Sequence, residues 1–473
     1  MDLNALRIPS KPAIVFDDRT LSWSELAQLV NETAGDIYKR VGTLDKQIVI
    51  GLLLPNGWQF VVSYLAILKL GHIAMPLDPT FKEIEVRAVL DQIPAEMIIT
   101  DNHYSKLLGS GNDGVKLFDD IKHGSGHDTD FVPFRIVASK QIASLVFTSG
   151  TTGRPKAAPY THRNHIWNIE ACSSVWNWNQ DDSLLISLSL AHWYGLVMGL
   201  SGIIYHGNTM YLQDWFDEKK TLQALASGKI TIFTHISTVY LKLIEERGDY
   251  DISGVRLCIS GGSALPPAVW ETFKQRFGQE ILECYGSSET GRIASNLLDE
   301  RIPGSPGRIL DGVDLKLSSE SEVLIKSDGV FPGYYKNAKA TKSSHTSDGY
   351  WRTGDIADMQ NGRIVLKGRV QERIRRFGYT ISPRDIEWAL HQNPKIKETY
   401  VLGAQAPDQP NDTLIYFIKS ELSVSEIDTY CKENLPFAWR ADSIIKLDSI
   451  PRTRNGKPKI DKLRQLAEGA RHA

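Results

Sequence analysis

The sequence predicts an α/β protein: a large N-terminal domain of mostly parallel sheets flanked by helices, then a small α+β domain. Short apolar runs of strand length alternate with stretches of helical period through most of the 473 residues. That alternation is the signature of parallel sheets packed under helices. From about Gly362 the texture changes to a compact unit of roughly 100 residues with strands and helices of its own. With 42% hydrophobic and 23% charged residues the balance is globular, and the length allows roughly two to four domains.

Along the chain, Ser22-Trp-Ser-Glu25 has the form of a capping box, and Leu26, Leu29, Val30, Ile37 and Tyr38 follow at helical spacing. A strand over Gln47–Leu54, a Pro-Asn-Gly turn and an apolar helix from Gln59 come next, then a buried strand at Met97–Thr100. Residues 109–130, rich in Gly, Ser, Asp and His, read as a surface excursion. Ala143–Phe147 is an apolar strand. Leu184–Tyr205 contains His192, Gly195, Gly199, Ser201 and Gly202, which favour a buried strand, a loop and a core helix over a membrane span; Phe60–Leu68 is too short to span. Beyond Arg363–Leu366, the pattern predicts a helix near Pro383–His391, strands near Thr399–Gly403 and Leu414–Lys419, and a helix near Ser425–Asn434. The domains are therefore placed at 1–367 and 368–473. No repeat of fixed period is present.

The formal net charge of −2 gives no electrostatic reason for nucleic acid or an anionic membrane as partner. Cys172, Cys258, Cys284 and Cys431 form no CxxC pair, so neither a disulfide framework nor a zinc site is expected. A reducing cytoplasm fits them. The segment MDLNALRIPSKPAIVF lacks the basic-then-apolar pattern of a signal peptide.

Gly109-Ser-Gly-Asn-Asp-Gly114 matches GxGxxG, but a strand-like VKLF follows instead of a helix, so a dinucleotide site is rejected. The strong signal is Thr148-Ser149-Gly150-Thr151-Thr152-Gly153-Arg154-Pro155-Lys156, directly after the apolar strand. Small residues let backbone N–H groups approach phosphate oxygens, hydroxyls add donors, and Lys156 adds positive charge. The spacing is not that of a Walker A loop.

This segment resembles the phosphate loop of the adenylate-forming superfamily, which includes acyl-CoA synthetases, luciferases and amino-acid adenylation domains. Five further segments follow in that family's order. Ser260-Gly261-Gly262-Ser263-Ala264-Leu-Pro266 is similar to the strand-end loop beside adenine. Tyr285-Gly286-Ser287-Ser-Glu289-Thr290-Gly291 resembles the YGxTE motif, and Tyr350–Asp355 the segment whose aspartate holds ribose. Gly368-Arg369 resembles the hinge entrance, and Pro451–Lys457 the C-terminal lysine motif. The resemblance spans about residues 10 to 460.

The resemblance implies ATP and Mg²⁺ as cofactors. Glu289 would hold Mg²⁺, for which hard carboxylate oxygens are suited. Tyr285 would stack on adenine, Thr290 would offer a hydroxyl to phosphate, and Asp355 would accept from the ribose hydroxyls. Lys457 would neutralise charge between the acid and the α-phosphate, with Arg369 and Arg375 contributing from the second domain. His192, in an HxxG segment, and Trp193 would border the acyl pocket with His235, Gly262 and Tyr285. The smaller domain would be a mobile lid turning about Gln371.

Several positions depart from the pattern. Ala157 replaces a usual glycine, and Gln371 a usual Asp or Lys. Arg375 and Thr380 stand where some aryl-CoA ligases have Lys and Gln. Cys284 occupies the place of a carboxylate-binding Arg in malonate-activating relatives, which argues against malonate.

The implied reaction is ATP-dependent activation of a small carboxylic acid to an acyl-adenylate, with pyrophosphate release, and thioester formation with coenzyme A. The tryptophans suggest a fatty or aromatic monocarboxylic acid. One alternative acceptor is the phosphopantetheine arm of an acyl carrier protein. A non-catalytic ATP-binding module is the alternative from another class, and the set Lys156, Glu289, Asp355 and Lys457 argues against it.

Overall fold

A computed structural model describes residues 1–108, 115–120, 134–148, 156–377, 379–404, 411–453 and 458–471. A six-stranded sheet has the order Val115–Leu117, Met97–Thr100, Val49–Leu53, Ile73–Pro76, Ile142–Thr148 and Lys156–Thr161. All neighbours are parallel except the last pair, where Thr148 faces Lys156 across an antiparallel register. The strands Ile73–Pro76 and Met97–Thr100 are buried at every position, as expected where helices cover both faces.

A larger sheet of thirteen described strands lies beside it. Its parallel half contains Pro12–Phe16, Thr209–Leu212, Ser183–Ile186, Ile232–His235, Leu257–Ser260 and Ile281–Ser287, with Arg19–Ser22 antiparallel to Pro12–Phe16 at the edge. The other half is antiparallel, running through Gly291–Ser295, Arg308–Ile309, Arg363–Arg369, Trp351–Gln360, Glu322–Lys326 and Asp314–Leu317. The expectation of mostly parallel sheets is thus right for one sheet and for half of the other. After Tyr285 the chain turns back on itself at once, and such short connections can only make antiparallel pairs.

The capping box at Ser22 forms: its Oγ accepts the Glu25 N–H at 3.3 Å, and the Glu25 carboxylate accepts the Ser22 N–H at 2.8 Å. It opens the helix Trp23–Val41, whose apolar face is buried. Leu184–Tyr205 begins as the buried strand Ser183–Ile186 and a loop, as predicted. The helix that follows is a π-helix over Tyr194–Ser201, continued as an α-helix over Gly202–His206. The amended feature is the wider winding, which periodicity arguments do not resolve. Among the described residues no helix is long and apolar enough to cross a membrane.

The C-terminal unit has a core of its own, formed by residues such as Ile374, Ile386, Val401, Tyr416 and Ile427. The hairpin Ile374–Arg376/Tyr379–Ile381 leads to the helix Pro383–Leu390 and the strands Ile396–Ala404, Thr413–Ser420 and Ser443–Lys446. The helices Val424–Asn434 and Ile460–Arg471 complete it. Strand Arg363–Arg369 stays paired with the large sheet to its end, Arg369 facing Asp355.

Candidate active site

The candidate residues gather at the carboxyl ends of the parallel strands, the edge where open α/β sheets present their ligands. His235 ends one strand, Gly261 and Gly262 follow the next, and Tyr285 lies near the end of a third. From the smaller sheet, Ile73–Pro76 delivers Asp78 and Ile142–Thr148 delivers the phosphate loop. Ser149, Gly150, Thr151, Thr152 and Gly153 lie outside the described residues, as does Lys457. Thr148 and Lys156 bracket the loop as facing residues of one hairpin.

Hydrogen bonds tie this hairpin to the Tyr285–Gly291 segment. The Tyr160 hydroxyl donates to the Ser288 carbonyl at 2.8 Å, and the Tyr335 N–H to the Ala157 carbonyl at 3.0 Å. Lys156 Nζ lies 5.0 Å from the Tyr334 ring centroid, and the Tyr334 hydroxyl donates to Glu289 Oε1 at 3.2 Å. The expected phosphate-binding cation and metal-binding carboxylate therefore share one tyrosine. Among the described residues no group of three His, Cys, Asp or Glu side chains is arranged to hold a metal. A lone half-buried carboxylate suits Mg²⁺, which keeps its waters and binds proteins through one or two carboxylates beside phosphates.

Asp355 is buried, with Oδ2 accepting the Tyr285 hydroxyl at 2.7 Å and Oδ1 3.1 Å from Arg369 Nε. Burial, and then the Asp355 charge, push the Tyr285 hydroxyl far above its ordinary pKa. It stays a neutral donor, and each carboxylate oxygen retains capacity for a further proton donor. Gly286 packs so closely on the returning strand that a Cβ there would stand 2.0 Å from the Gly291 carbonyl.

His192 Nε2 is 2.8 Å from Asp78 Oδ2. Burial alone would raise the Asp78 pKa. The hydrogen bond and charge of His192, with bonds from Thr80, outweigh it and hold the carboxyl below its usual range. Trp193 is buried next to His192, its ring 6.1 Å from that of Tyr160. Ser263 Oγ lies 2.8 Å from Ser237 Oγ, and Ala264 is exposed.

One assignment changes. Thr290 is wholly buried; its Oγ accepts the Ser287 N–H at 2.9 Å and donates to the Gly291 carbonyl at 3.0 Å. It closes a turn with Ser287 and does not present a hydroxyl to phosphate. His235 is buried between Phe216 and Phe233, and its Nδ1 accepts the Ile236 N–H at 2.9 Å. Its Nε2 is buried without a hydrogen-bond partner among the described residues. On the smaller unit, Arg375 is exposed and pairs across its hairpin with Thr380. Gln371 lies in a short 3-10 turn, Val370–Glu372.

Sequence reasoning missed Asp78 and Tyr334, which these contacts bring beside the candidate residues. Asp78 carried a usable signal, an acid two residues beyond an apolar strand. Tyr334 carried none, because it reaches Glu289 only through the fold.

A family model for AMP-binding enzymes matches residues 1–335. The chain is 27% identical over 466 residues to a 2-succinylbenzoate–CoA ligase of Listeria monocytogenes, covering 97% of both. It is 28% identical to a mitochondrial malonate–CoA ligase of Mus musculus, covering 90% of this chain and 83% of that one. The fold is similar to ATP-bound MatB from Rhodopseudomonas palustris, with a TM-score of 0.89 at 22% identity over 97% of this chain and 96% of that one. It also resembles the o-succinylbenzoate CoA synthetase of Bacillus subtilis in complex with its acyl-adenylate, with a TM-score of 0.83 at 22% identity, over 98% and 97% of the chains. A match over more than half of its length makes this chain a member of the AMP-binding enzyme family, among the adenylate-forming, acyl-CoA synthetase-like ligases.

Proposed function

We propose that this chain is an AMP-forming acid–thiol ligase that makes an acyl-CoA from a carboxylic acid, ATP and coenzyme A. The observation that supports it best is the linked pair of clusters, Lys156–Tyr334–Glu289 and Tyr285–Asp355–Arg369, on one rim of the sheet. The first suits a polyphosphate with its metal, the second a ribose. In the first half-reaction a carboxylate oxygen of the acid attacks the α-phosphorus of ATP, and pyrophosphate leaves. Lys156 neutralises charge on the phosphates, and Lys457 does so at the attacked phosphorus. Mg²⁺ bound at Glu289 would supply further charge neutralisation to the phosphate oxygens. Asp78 holds the His192 imidazole in one orientation at the acyl side. In the second half-reaction the CoA sulfur attacks the acyl carbonyl and AMP leaves. Residues 368–473 form the lid, and Gln371 is the hinge about which it turns to open a thiol channel. Holding the reactants in register supplies much of the rate, since effective molarities reach about 10⁵–10⁸ M. The four cysteines are buried and unpaired, which suits a reducing compartment such as the cytoplasm.

Acid-dependent pyrophosphate release across a panel of acids tests the reading. Lys457→Ala is expected to lower that rate at least about 10²–10³-fold while leaving hydrolysis of pre-formed acyl-adenylate measurable. Release that does not depend on the acid would refute it. Thioester formed with free CoA separates this reading from transfer to a carrier-protein arm.

A further inference from the structure

Arg292 lies two residues beyond Thr290, on the strand Gly291–Ser295, and is 1% exposed. Its backbone N–H donates to Asn168 Oδ1 at 2.7 Å, which fixes the strand without engaging the side chain. The guanidinium carbon stands 4.2 Å from the ring centroid of Tyr194 and 5.2 Å from that of Trp193. A Cβ on Gly261 would come within 2.8 Å of both Arg292 Nη1 and Cys284 Sγ. The glycine therefore leaves room for this cation. The charge is thus wedged between the start of the π-helix, the strand-end loop and the strand that carries Tyr285.

No carboxylate forms a hydrogen bond or ion pair with Arg292 among the described residues, and its Nε and Nη2 are buried without any partner. The groups that face it are Tyr194, Cys284 and Cys172. Burial pushes all three above their ordinary pKa, so each is neutral at physiological pH. A guanidinium does not escape burial by losing its proton. Aromatic faces offset part of the desolvation but leave the Nε and Nη2 donors unfilled. A buried positive charge without a counter-ion is tolerated where a ligand provides one, and a guanidinium edge matches a carboxylate with two parallel hydrogen bonds.

We propose that Arg292 is the specificity-determining residue of the acyl pocket and pairs a second carboxylate on the acid, so that the substrate is a dicarboxylic acid. This rests on the ligase reading above. Trp193, a bulky wall for a neutral acid on sequence grounds, here flanks the cation together with Tyr194. The proposed acid thus differs from the monocarboxylic one that the sequence suggests.

The test is acid-dependent pyrophosphate release with matched pairs, each a dicarboxylic acid and the monocarboxylic acid of equal carbon skeleton, straight-chain and aromatic. The purified chain is expected to use at least one dicarboxylic acid with kcat/KM about 10²–10³-fold above its neutral partner. Arg292→Met should remove that preference mainly through KM for the diacid, whereas a merely structural lesion would lower kcat for diacid and monoacid alike. Arg292→Lys should restore part of it. The proposal is overturned if the wild-type chain uses monoacids as well as diacids, or if the preference survives in Arg292→Met. Should Arg292→Met fail to fold by thermal melting, the wild-type panel and Arg292→Lys decide alone. Turnover of monoacids only would sink this inference and leave the ligase reading intact; release with no acid at all would sink both.

Discussion

Asp78 and His192 are 114 positions apart, yet their 2.8 Å contact joins the two sheets at the acyl side of the site. A carboxylate that holds one imidazole nitrogen sets the ring's tautomer and direction. Asp78→Asn keeps the shape and removes the charge. Hydrogen bonds to charged groups contribute about 1.5–3 kcal/mol, so acid-dependent pyrophosphate release should fall about 10- to 100-fold. KM for ATP should stay near the wild-type value. An unchanged rate in steady-state assays of the variant would remove Asp78 from the site. Glu289 shows the same logic with a neutral partner, since Tyr334 orients its carboxylate and also lies beneath Lys156.

At the scale of the element, the π-helix Tyr194–Ser201 accounts for the placing of His192 and Trp193. Its first turn packs so tightly on the preceding loop that a Cβ on Gly195 would stand 2.4 Å from the Ser189 carbonyl. Backbone does not yield as a flexible side chain does. Gly195→Val should therefore push the helix outward, carrying His192 and Trp193 with it. Overpacking of this kind costs about 1–3 kcal/mol. Thermal melting should show a lower midpoint, and pyrophosphate release should drop by at least about tenfold in the surviving folded fraction. A variant that melts lower but retains full specific activity would separate the helix from the site.

Over the whole molecule, buried titratable groups set the pH range of stability. Burial pushes His165 and His235 down to about 3 from an unfolded value near 6.5. Both are neutral in the native state. Their contribution is complete above about pH 6.5 and is lost as pH falls toward about 3. The slope approaches about 1.4 kcal/mol per pH unit for each histidine. Glu283 is displaced the other way, pushed up to about 8 by burial. Its contribution is full below the unfolded carboxyl value near 4.3 and is lost as pH rises through about 8. The midpoint of urea unfolding should therefore peak near pH 6.5. His165→Gln should flatten the acid limb by one histidine's share. A midpoint that keeps rising below pH 5 would contradict this assignment.

Local chemistry made much of the architecture legible in the residues alone. Ser22 and Glu25 announce a helix because a capping box closes within four residues, and Met97–Thr100 reads as a strand because three apolar residues, two of them β-branched, run into a threonine. The glycines and hydroxyls after Phe147, with Glu289 and Asp355, announce nucleotide chemistry for the same reason: each motif is contiguous. Contacts between distant segments are not written that way. Nothing adjacent to Thr290 reveals that its hydroxyl closes its own turn, and nothing near His235 reveals that Phe216 packs against it. Arg292 reads as one more charge in an ordinary strand. Only the packing of the π-helix, the Gly261 loop and the Cys284 strand leaves it without a carboxylate partner among the described residues. Sequence determined the family and the nucleotide motifs, because these depend on neighbours along the chain. The tertiary structure decided which of these side chains are buried and which are paired, because burial and charge pairing are properties of residues that meet only after folding.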